Sequence, residues 1–485
     1  MDDNCENLYC IRSLQYRSDP THRDHFAVKI NLSAFKAYDV RGRIPEEINE
    51  ELVYQVGRAF VAFVKPRRVA VGRDIRLTSD LFAKELIRGL TDAGVDVLDI
   101  GLCGTEGVYF ATFAWKLDGG IMVTASHNPP DYNGLKLVRE LSKPIGSDSG
   151  LKEIAAMIAS GKLPPPAAVK GKVEMLDTSA RYIEHLLGYV NRKALRKLKV
   201  VVDAGNGGAG LTIDKLEPHL PFEFIKVRHE PNGNFPQGVP NPMLEENRGP
   251  TLEALRKSGA DVGIAWDGDY DRCFFYDSKG AFIEGYYIVG LLAEAFLVKQ
   301  PGARIVYDPR LTWNTIDTVK RLGGVPVMSK SGHAFIKQKM REVDGAYGGE
   351  MSAHHYFRDF SYCDSGMIPW LLVLERVCES GKSLDELVAA RIQAFPSSGE
   401  INRKLPDAKK VLIEAEAKFG KGAIIDHTDG LSVDHADWRF NVRASNTEPL
   451  VRLNVESRGN EALMREKTGE LLTFMDSMGA VKANH

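Results

Sequence analysis

The segment with the clearest chemical potential is Thr124-Ala125-Ser126-His127-Asn128-Pro129, which follows an apolar run predicted to be a strand. Loops at the carboxyl end of a parallel sheet commonly hold reactive groups, so Ser126 is a candidate nucleophile. A serine hydrolase is disfavoured because the chain has no Gly-x-Ser-x-Gly elbow and His127 is poorly placed to deprotonate its own neighbour. A turn in which these residues only shape the backbone is the open alternative.

A second segment, Asp267-Gly268-Asp269-Tyr270-Asp271-Arg272, places three carboxylates at alternate positions after another predicted strand. Like charges this close raise one another's pKa unless a cation neutralises them, and oxygen ligands favour magnesium or calcium over zinc. An EF-hand is disfavoured because it would need glycine at Arg272 and glutamate at Ser278. A polar turn remains the alternative reading.

The two segments together predict phosphoryl chemistry. A phosphorylated Ser126 would carry nearly two negative charges, which a magnesium ion held by the aspartates would bridge. Arg272 could clamp the same phosphate. Phosphoryl transfer depends mainly on positioning and charge neutralisation, so a metal, an arginine and an in-line nucleophile supply most of what it requires.

Two further segments carry groups suited to a sugar phosphate. Residues 348–355 place Glu350, Ser352, His354 and His355 after two glycines, and these groups can bond sugar hydroxyls. A transition-metal site is the weaker alternative, because no cysteine or carboxylate sits at helical spacing. Residues 443–449 form a candidate phosphate cradle, although a turn at a strand end explains them equally well. The cradle residues are Arg443, Ser445, Asn446 and Thr447.

One glycine pattern supports a different class of protein. Gly205, Gly207 and Gly210 follow a predicted strand and match the dinucleotide fingerprint, so a nicotinamide-dependent dehydrogenase is an alternative function. We expect no clear helix after Gly210, because Pro218 and Pro221 follow soon, and this expectation weakens the alternative. The Gly381-Lys382-Ser383 triplet lacks the first glycine of a phosphate-binding loop.

The elements around these segments alternate between strands and helices, which predicts α/β layers over mainly parallel sheets. Strands are predicted at 69–71, 95–100, 120–124, 198–202, 222–227, 261–266, 304–307, 325–328, 437–442 and 450–455. Helices are predicted at 81–90, 251–257, 314–322 and 461–474. The last ninety residues read as a separate α+β unit.

Composition narrows the class of partner. The 63 basic residues nearly balance the 65 acidic ones, so no broad field of one sign favours nucleic acid or a membrane. Six sparse cysteines fit a reducing, cytoplasmic setting, and no apolar run of about 18 residues could span a bilayer. Small-molecule substrates are the resulting expectation.

The four segments, in this order, resemble the α-D-phosphohexomutase family, as do residues 35–42 and 437–455. The resemblance covers residues 34 to about 475. It implies four domains around a central active-site cleft, of which three are similar α/β domains with mixed sheets and the last is a smaller α+β domain. The implied division is an N-terminal arm at 1–33, predicted to be flexible, and domains I to IV at 34–170, 171–281, 282–394 and 395–485.

The resemblance also implies roles for individual residues. Ser126 would be the phosphorylated nucleophile and, with Asp267, Asp269 and Asp271, would bind Mg²⁺. Lys136 and His333 would be candidate acids or bases, and neighbouring cations such as Arg41 would lower the pKa of Lys136. The remaining implied contacts are Arg41 and Arg272 to the transferred phosphate, Arg310, Glu350, Ser352 and His354 to the sugar, and Arg443, Ser445, Asn446 and Thr447 to the distal phosphate.

The reaction implied is the interconversion of mannose 6-phosphate and mannose 1-phosphate, with a hexose 1,6-bisphosphate as bound intermediate and activator. Glucose phosphates, alone or together with mannose phosphates, are the alternative substrates. The expected role is supply of GDP-mannose for capsule or exopolysaccharide synthesis, by a monomer or homodimer that binds neither nucleic acid nor membrane.

Overall fold

The chain folds around a series of separate β-sheets. The computed structural model describes residues 31–405, 407–444 and 450–482, and these residues form four sheets that follow one another along the sequence. Three sheets are mixed and the last is antiparallel, which confirms the predicted fold class of three similar α/β units and an α+β unit. Of the N-terminal arm predicted at 1–33, only residues 31–33 are described.

The first sheet has the strand order β1-β5-β4-β2-β3-β7, with β6 paired to β5. Its strands are β1 (Val40–Arg43), β2 (Arg68–Arg73), β3 (Asp96–Leu102), β4 (Gly119–Val123), β5 (Tyr132–Arg139), β6 (Lys143–Pro144) and β7 (Val173–Met175). Its helices are α1 (Glu50–Val64), α2 (Ser79–Asp92), α3 (Thr105–Ala114) and α4 (Lys152–Ala159). Although β7 lies beyond residue 170, it pairs in parallel with β3. The domain boundaries given above stay predictions.

The second sheet has the order β12-β11-β10-β8-β9. Its strands are β8 (Lys199–Asp203), β9 (Glu223–Val227), β10 (Val262–Trp266), β11 (Cys273–Asp277) and β12 (Phe282–Ile283). The accompanying helices are α5 (Ser179–Leu187), α6 (Ala209–Leu216) and α7 (Gly249–Ser258).

The third sheet has the order β14-β13-β15-β16-β17. Its strands are β13 (Arg304–Tyr307), β14 (Val325–Met328), β15 (Tyr347–Gly349), β16 (His355–Phe357) and β17 (Cys363–Asp364). Its helices are α8 (Gly285–Lys299), α9 (Trp313–Arg321), α10 (His333–Val343), α11 (Met367–Ser380) and α12 (Leu384–Ala394).

These three sheets share the same strand connectivity. In each, a central strand pairs in parallel with the next two strands of the chain, and the second of these pairs antiparallel with the strand that follows it. The antiparallel hairpins are β4–β5, β10–β11 and β15–β16. Their connecting loops carry Ser126, the three aspartates and Glu350 respectively. The three chemical segments therefore occupy the same position in three copies of one plan.

The fourth sheet is antiparallel throughout its described strands, with the order β19-β20-β21-β22-β18-β23. The strands are β18 (Ile401–Lys404), β19 (Ile424–Asp426), β20 (Leu431–Asp434), β21 (Trp438–Ala444), β22 (Leu450–Ser457) and β23 (Val481–Lys482). Two helices, α13 (Ala408–Phe419) and α14 (Glu461–Ser477), pack against it around a core of its own.

One apolar cluster joins the second and third units. It includes residues of both sheets, together with α3 of the first unit. Trp266, the last residue of β10, is buried in this cluster, meets Trp370 edge-on and donates its indole hydrogen to the carbonyl of Gly366 at 2.8 Å. Because Asp267 follows Trp266 directly, this contact fixes the start of the aspartate loop against the third unit. No helix within the described residues is long and apolar enough to cross a membrane.

Glu106 is a buried acid where three units meet. It lies in α3 of the first unit, accepts a hydrogen bond from Tyr182 of α5, and faces the backbone nitrogen of Met367 at 3.4 Å in the third unit. Burial raises the pKa of Glu106 to about 8, because its hydrogen bonds with Ser365, Tyr182 and Met367 offset only part of the cost of burying a charge. The folded chain thus holds this proton more tightly than the unfolded chain.

We expect this junction to lose stability as the pH rises. Because the pKa of Glu106 is higher in the folded state, its contribution is complete below the unfolded value and is lost as the pH rises towards about 8. The unfolding free energy of the wild type, relative to Glu106→Gln, should fall by about 1.4 kcal/mol per pH unit across that window. Chemical denaturation at several pH values measures this difference. The exposed Glu414→Gln variant is the control, and parallel curves for wild type and Glu106→Gln would refute the assignment.

Candidate active site

Ser126 lies next to the aspartate loop. Its hydroxyl donates a hydrogen bond to Asp267 Oδ2 at 2.8 Å and lies 3.1 Å from His127 Nδ1. The backbone of Ser126 is left-handed, with a φ of 51°, and its nitrogen donates to Thr124 Oγ1 at 2.9 Å. A side chain at Gly268 would place its Cβ 2.4 Å from the carbonyl oxygen of Ser126, so glycine is required there. The two loops predicted to work together are in direct contact.

A buried arginine that the sequence reading missed holds the Ser126 loop in this shape. Arg76 follows β2, and its guanidinium donates to the carbonyls of Ser126 and Asn128 at 2.9 and 2.6 Å. It also donates to the carbonyls of Pro129 and Tyr132 at 2.7 and 3.0 Å. One planar group therefore satisfies four backbone acceptors of a single loop, which a lysine could not reproduce.

The three aspartates form a buried cluster that fits a hard cation. One carboxylate oxygen from each of Asp267, Asp269 and Asp271 lies within 4.8 Å of the others. All three side chains are almost fully buried, and Asp269 Oδ1 and Asp271 Oδ1 have no hydrogen-bond partner in the described chain. Buried carboxylate oxygens without donors are costly unless a cation meets them. The donor set, all oxygen, suits Mg²⁺.

Two basic side chains contact this cluster directly. Arg272 donates from Nε and Nη2 to Asp267 Oδ2 at 3.0 and 2.8 Å, and its Nη2 lies 2.6 Å from His127 Nδ1. Lys136, on β5, donates to Asp269 Oδ2 and Asp271 Oδ2 at 2.7 and 2.5 Å. Burial and repulsion from Asp269 nevertheless raise the pKa of Asp271 to about 6.

The predicted lowering of the Lys136 pKa is wrong for this arrangement. Burial and Arg41 both act to lower it, but the carboxylates of Asp269 and Asp271 outweigh them and raise the pKa above its ordinary value. Lys136 is therefore held as an ammonium ion between two carboxylates. To act as a base, it has to leave them first.

Arg41, on β1, lies beside the loop that carries Ser126. It donates to Asn128 Oδ1 at 2.8 Å and pairs with Asp39. Burial opposes its charge, but Asp39 and Asp269 raise its pKa, so it stays a cation. Arg41, Lys136 and Arg272 thus lie on separate strands and loops around the same carboxylates.

The third loop meets the aspartate loop through its backbone. Arg272 and His354 form an isolated antiparallel bridge, and His354 Nδ1 lies 3.9 Å from Asp271 Oδ1 and 3.1 Å from Asp364 Oδ2. Although burial favours neutral imidazole, Asp271 and Asp364 raise the pKa of His354. Glu350 accepts hydrogen bonds from the nitrogen of Gly332 at 2.8 Å and from Tyr356.

His333 opens helix α10 and is linked to His354 by a buried ion pair. Its Nδ1 lies 3.5 Å from Lys337 Nζ, and Lys337 in turn lies 2.7 Å from Asp364 Oδ1. Burial and the Lys337 charge hold the pKa of His333 well below its usual value, so this imidazole is neutral. The structure thus connects the two histidines through Lys337 and Asp364, which sequence reading did not single out.

A cluster of arginines surrounds Glu400 on the far side of the third loop. Arg310 is held by Asp308 at 2.8 Å and contacts Ser352 Oγ at 3.1 Å, Glu350 at 3.3 Å and Glu400 at 3.5 Å. Arg443 and Arg452 lie 3.7 and 3.6 Å from Glu400. Burial and repulsion from Arg310 lower the pKa of Arg443. Three arginines around one carboxylate could receive a phosphate; the predicted Ser445, Asn446 and Thr447 lie outside the described residues.

The glycine fingerprint has another use here. Contrary to expectation, Gly210 lies within a regular helix, α6, so that argument against a dinucleotide site was wrong. The loop before α6 packs onto the aspartate loop, and a Cβ at Gly207 would lie 2.9 Å from the carbonyl oxygen of Gly268. The close approach that glycine allows serves this contact.

Arg76, which the sequence analysis missed, belongs to a pattern that is visible in the sequence. Asp74-x-Arg76 after β2 and Asp308-x-Arg310 after β13 are the same pattern at the same position in two units. In each, the arginine pairs with the preceding aspartate. Glu400 has no comparable signal, because its partners come from two sheets.

The fold and the site define a multidomain α/β protein with a serine, a carboxylate cluster and two groups of buried cations in one region. Comparison with known proteins is consistent with that class. The domain models of phosphoglucomutase/phosphomannomutase match residues 32–164 (α/β/α domain I), 180–280 (domain II), 284–395 (domain III) and 400–471 (C-terminal domain).

Individual relatives cover nearly the whole chain. The chain is 56% identical over 452 residues to a phosphomannomutase of Escherichia coli strain K12, covering 92% of this chain and 99% of that one. It is 57% identical over 447 residues to the phosphohexose mutases of Xanthomonas campestris pv. campestris strain B100, covering 92% and 100%. A crystal structure of a phosphoglucomutase/phosphomannomutase family protein from Burkholderia thailandensis is 32% identical, covers 93% of this chain and 98% of that one, and has a TM-score of 0.83. The chain belongs to the phosphoglucomutase/phosphomannomutase family.

The Arg76 contacts lead to a mutational prediction. Arg76→Lys should leave some of the four carbonyls without donors, at about 1–3 kcal/mol for each unsatisfied buried group, and should shift Ser126. A displacement near 1 Å can cost about a hundredfold in rate, so phosphorylation of Ser126 by a hexose 1,6-bisphosphate should slow by that order. Time-resolved intact mass spectrometry measures this rate.

Arg73→Lys is the matched control. Arg73 lies three residues earlier and pairs with Asp80 and Asp99 at 3.2 and 3.3 Å near the surface. Such pairs contribute only about 0–1 kcal/mol, so this variant should behave like the wild type. Equal phosphorylation rates for Arg76→Lys and Arg73→Lys would contradict the role given to Arg76.

Proposed function

We propose that the protein is a phosphomannomutase that interconverts mannose 6-phosphate and mannose 1-phosphate through a phosphorylated Ser126. The observation that carries the proposal is the hydrogen bond of 2.8 Å from the Ser126 hydroxyl to a carboxylate of a buried, cation-binding cluster. The phosphomannomutases that match at 53–57% identity support the choice of sugar.

In the proposed cycle, phosphorylated Ser126 donates its phosphoryl group to the free hydroxyl of mannose 6-phosphate. The bond between Ser126 Oγ and phosphorus breaks as a bond from the sugar oxygen to phosphorus forms; the sugar hydroxyl gives its proton to a base of the chain, and Ser126 Oγ takes up a proton from an acid of the chain. The 1,6-bisphosphate then turns end for end, and its other phosphoryl group returns to Ser126 Oγ, whose hydroxyl proton passes to a base of the chain. The oxygen freed in that step takes up a proton, and mannose 1-phosphate leaves.

Different residues of the chain would bind the metal ion, bind the transferred phosphate and transfer protons. Asp267, Asp269 and Asp271, with the Ser126 oxygen, would hold Mg²⁺, which supplies positive charge to the transferring phosphoryl group. Arg272 and Arg41 would hold phosphate oxygens, since both are cations near Ser126, the first buried and the second partly buried. Lys136 and His333 are the proposed acid and base, and the ammonium form of Lys136 suits it to donate a proton.

The third loop and the arginine cluster would hold the rest of the substrate. Glu350, Ser352 and His354 are proposed to bond the sugar hydroxyls, with Arg310 beside them. Arg443, together with Ser445, Asn446 and Thr447, is proposed to bind the phosphate that is not being transferred. Because the sugar must turn over, this cradle has to accept it in two orientations.

We further propose that a hexose 1,6-bisphosphate activates the enzyme. We also propose that the protein acts in the cytoplasm, where its product supplies GDP-mannose synthesis. Four cysteines in the described chain are free, which supports a reducing setting. Monomer and homodimer remain the two proposed states.

Replacement of the nucleophile tests the mechanism. Ser126→Ala should abolish turnover, because no oxygen can accept the phosphoryl group, while sugar-phosphate binding measured by calorimetry persists. Intact mass spectrometry after treatment with a hexose 1,6-bisphosphate should show one added phosphoryl group on the wild type and none on this variant. The control is Ser147→Ala, which removes a half-buried hydroxyl that donates to Asp148 Oδ1 at 3.1 Å and should behave like the wild type. Full activity in Ser126→Ala would remove the covalent step.

The sugar preference is tested by competition. Met351 and Ala353-His354-His355 in the third loop, together with the named relatives, lead us to expect a higher kcat/KM for mannose 1-phosphate than for glucose 1-phosphate. Coupled assays with each sugar alone, and with both together, measure the ratio. A strong glucose preference would replace the proposed substrate and leave the phosphoserine mechanism standing.

A further inference from the structure

Thr105 is a buried hydroxyl placed between the aspartate cluster and Lys136. It is the first residue of α3 in the first unit, and none of its surface is exposed. Its hydroxyl donates to Asp269 Oδ2 at 2.5 Å and accepts from Lys136 Nζ at 3.2 Å. A single oxygen thus contacts both a proposed metal ligand and a proposed acid.

The backbone of Thr105 holds the same aspartate from a second direction. Its nitrogen donates to the carbonyl oxygen of Asp269 at 3.1 Å. The preceding Gly104 allows the approach, since a Cβ there would lie 2.4 Å from the ring of Tyr270 and 2.6 Å from the carbonyl of Asp269. Asp269 is therefore fixed in both its main chain and its side chain by one residue of another unit.

The consequence concerns which oxygen of Asp269 is free. Oδ2 is occupied by Thr105 and Lys136, whereas Oδ1 is buried without a partner in the described chain. Groups that orient a metal ligand in this way strengthen binding, and their removal typically costs about 10–100-fold in metal affinity.

We infer that Thr105 is a positioning residue that locks the Asp269 carboxylate so that Oδ1 is presented to the cation, and that it couples the cation site to Lys136. The inference rests on the proposed metal site of the mutase. It adds a contact between the first and second units to that site: α3 sets the orientation of a ligand that belongs to the aspartate loop.

The test compares variants that differ in one hydroxyl. Thr105→Val keeps the size of the side chain and removes its hydrogen bonds, whereas Thr105→Ser keeps the hydroxyl. Isothermal titration of the unphosphorylated full chain with Mg²⁺, and with Mn²⁺ followed by electron paramagnetic resonance, gives the dissociation constant without any turnover. We expect it to rise about 10-fold or more in Thr105→Val and to stay near the wild-type value in Thr105→Ser.

A matched control lies in the same helix. Thr112 is equally buried, and its hydroxyl donates to the carbonyl of Val108 at 2.7 Å. Thr112→Val should bind Mg²⁺ like the wild type. In steady-state assays, Thr105→Val should need more Mg²⁺ for half-maximal activity, while its KM for the sugar phosphate at saturating Mg²⁺ stays unchanged.

Each outcome decides between the claims. Unchanged Mg²⁺ affinity in Thr105→Val, or an equal loss in Thr112→Val, overturns the role of Thr105 and leaves the mutase proposal intact. If the wild type itself binds no Mg²⁺, the proposed metal site fails. Should Thr105→Val not fold, Thr105→Ala and Thr105→Ser are measured instead, and wild-type affinity in Thr105→Ala overturns the inference.

Discussion

The structure depends on a cluster of like charges that cannot exist by itself. Two unit charges at 4.8 Å repel by about 3.5 kcal/mol at an effective dielectric constant of about 20, and Asp267, Asp269 and Asp271 lie at least that close. Lys136 from the first unit and Arg272 from the second offset this repulsion. The loop carrying the acids is therefore stabilised by a cation from another unit in addition to its own Arg272, which requires the first and second units to pack in one arrangement.

The first three units repeat one strand connectivity. Ser126, the three aspartates and Glu350 each lie in the loop of the equivalent antiparallel hairpin in sheets that share one central strand order. Trp266 connects two of these units: it directly precedes Asp267 in the second unit, and its indole donates a hydrogen bond to the carbonyl of Gly366 in the third. The same packing that buries Trp266 in the apolar core therefore also positions the aspartate loop that follows it.

Much of this could be predicted from the sequence, because the pattern of apolar runs and the composition of the loops are local. The strands before Ser126 and Asp267 and the segments that follow them were located within a few residues. The failures are long-range. Arg76, Thr105 and Glu400 contact partners about 50, 164 and 90 positions away; the repeated Asp-x-Arg pattern marks Arg76 itself, but no local pattern identifies any of these distant partners. The pKa of Lys136 was predicted in the wrong direction, since the sequence shows that Arg41 is present but not that two carboxylates lie closer.

The order in which the equivalent hairpins occur along the chain has a consequence for synthesis. During translation, the unit bearing Ser126 emerges first, the unit with the three aspartates second, and the unit whose loop carries Glu350 third. Domains generally fold as they emerge. A partly made chain thus has Ser126 without the carboxylate of Asp267 that it contacts, and later a charged loop without the carbonyl of Gly366 that anchors it. Because Arg443, which we propose to hold the distal phosphate, lies in the fourth unit, we expect chains truncated before that unit to be inert rather than half-active.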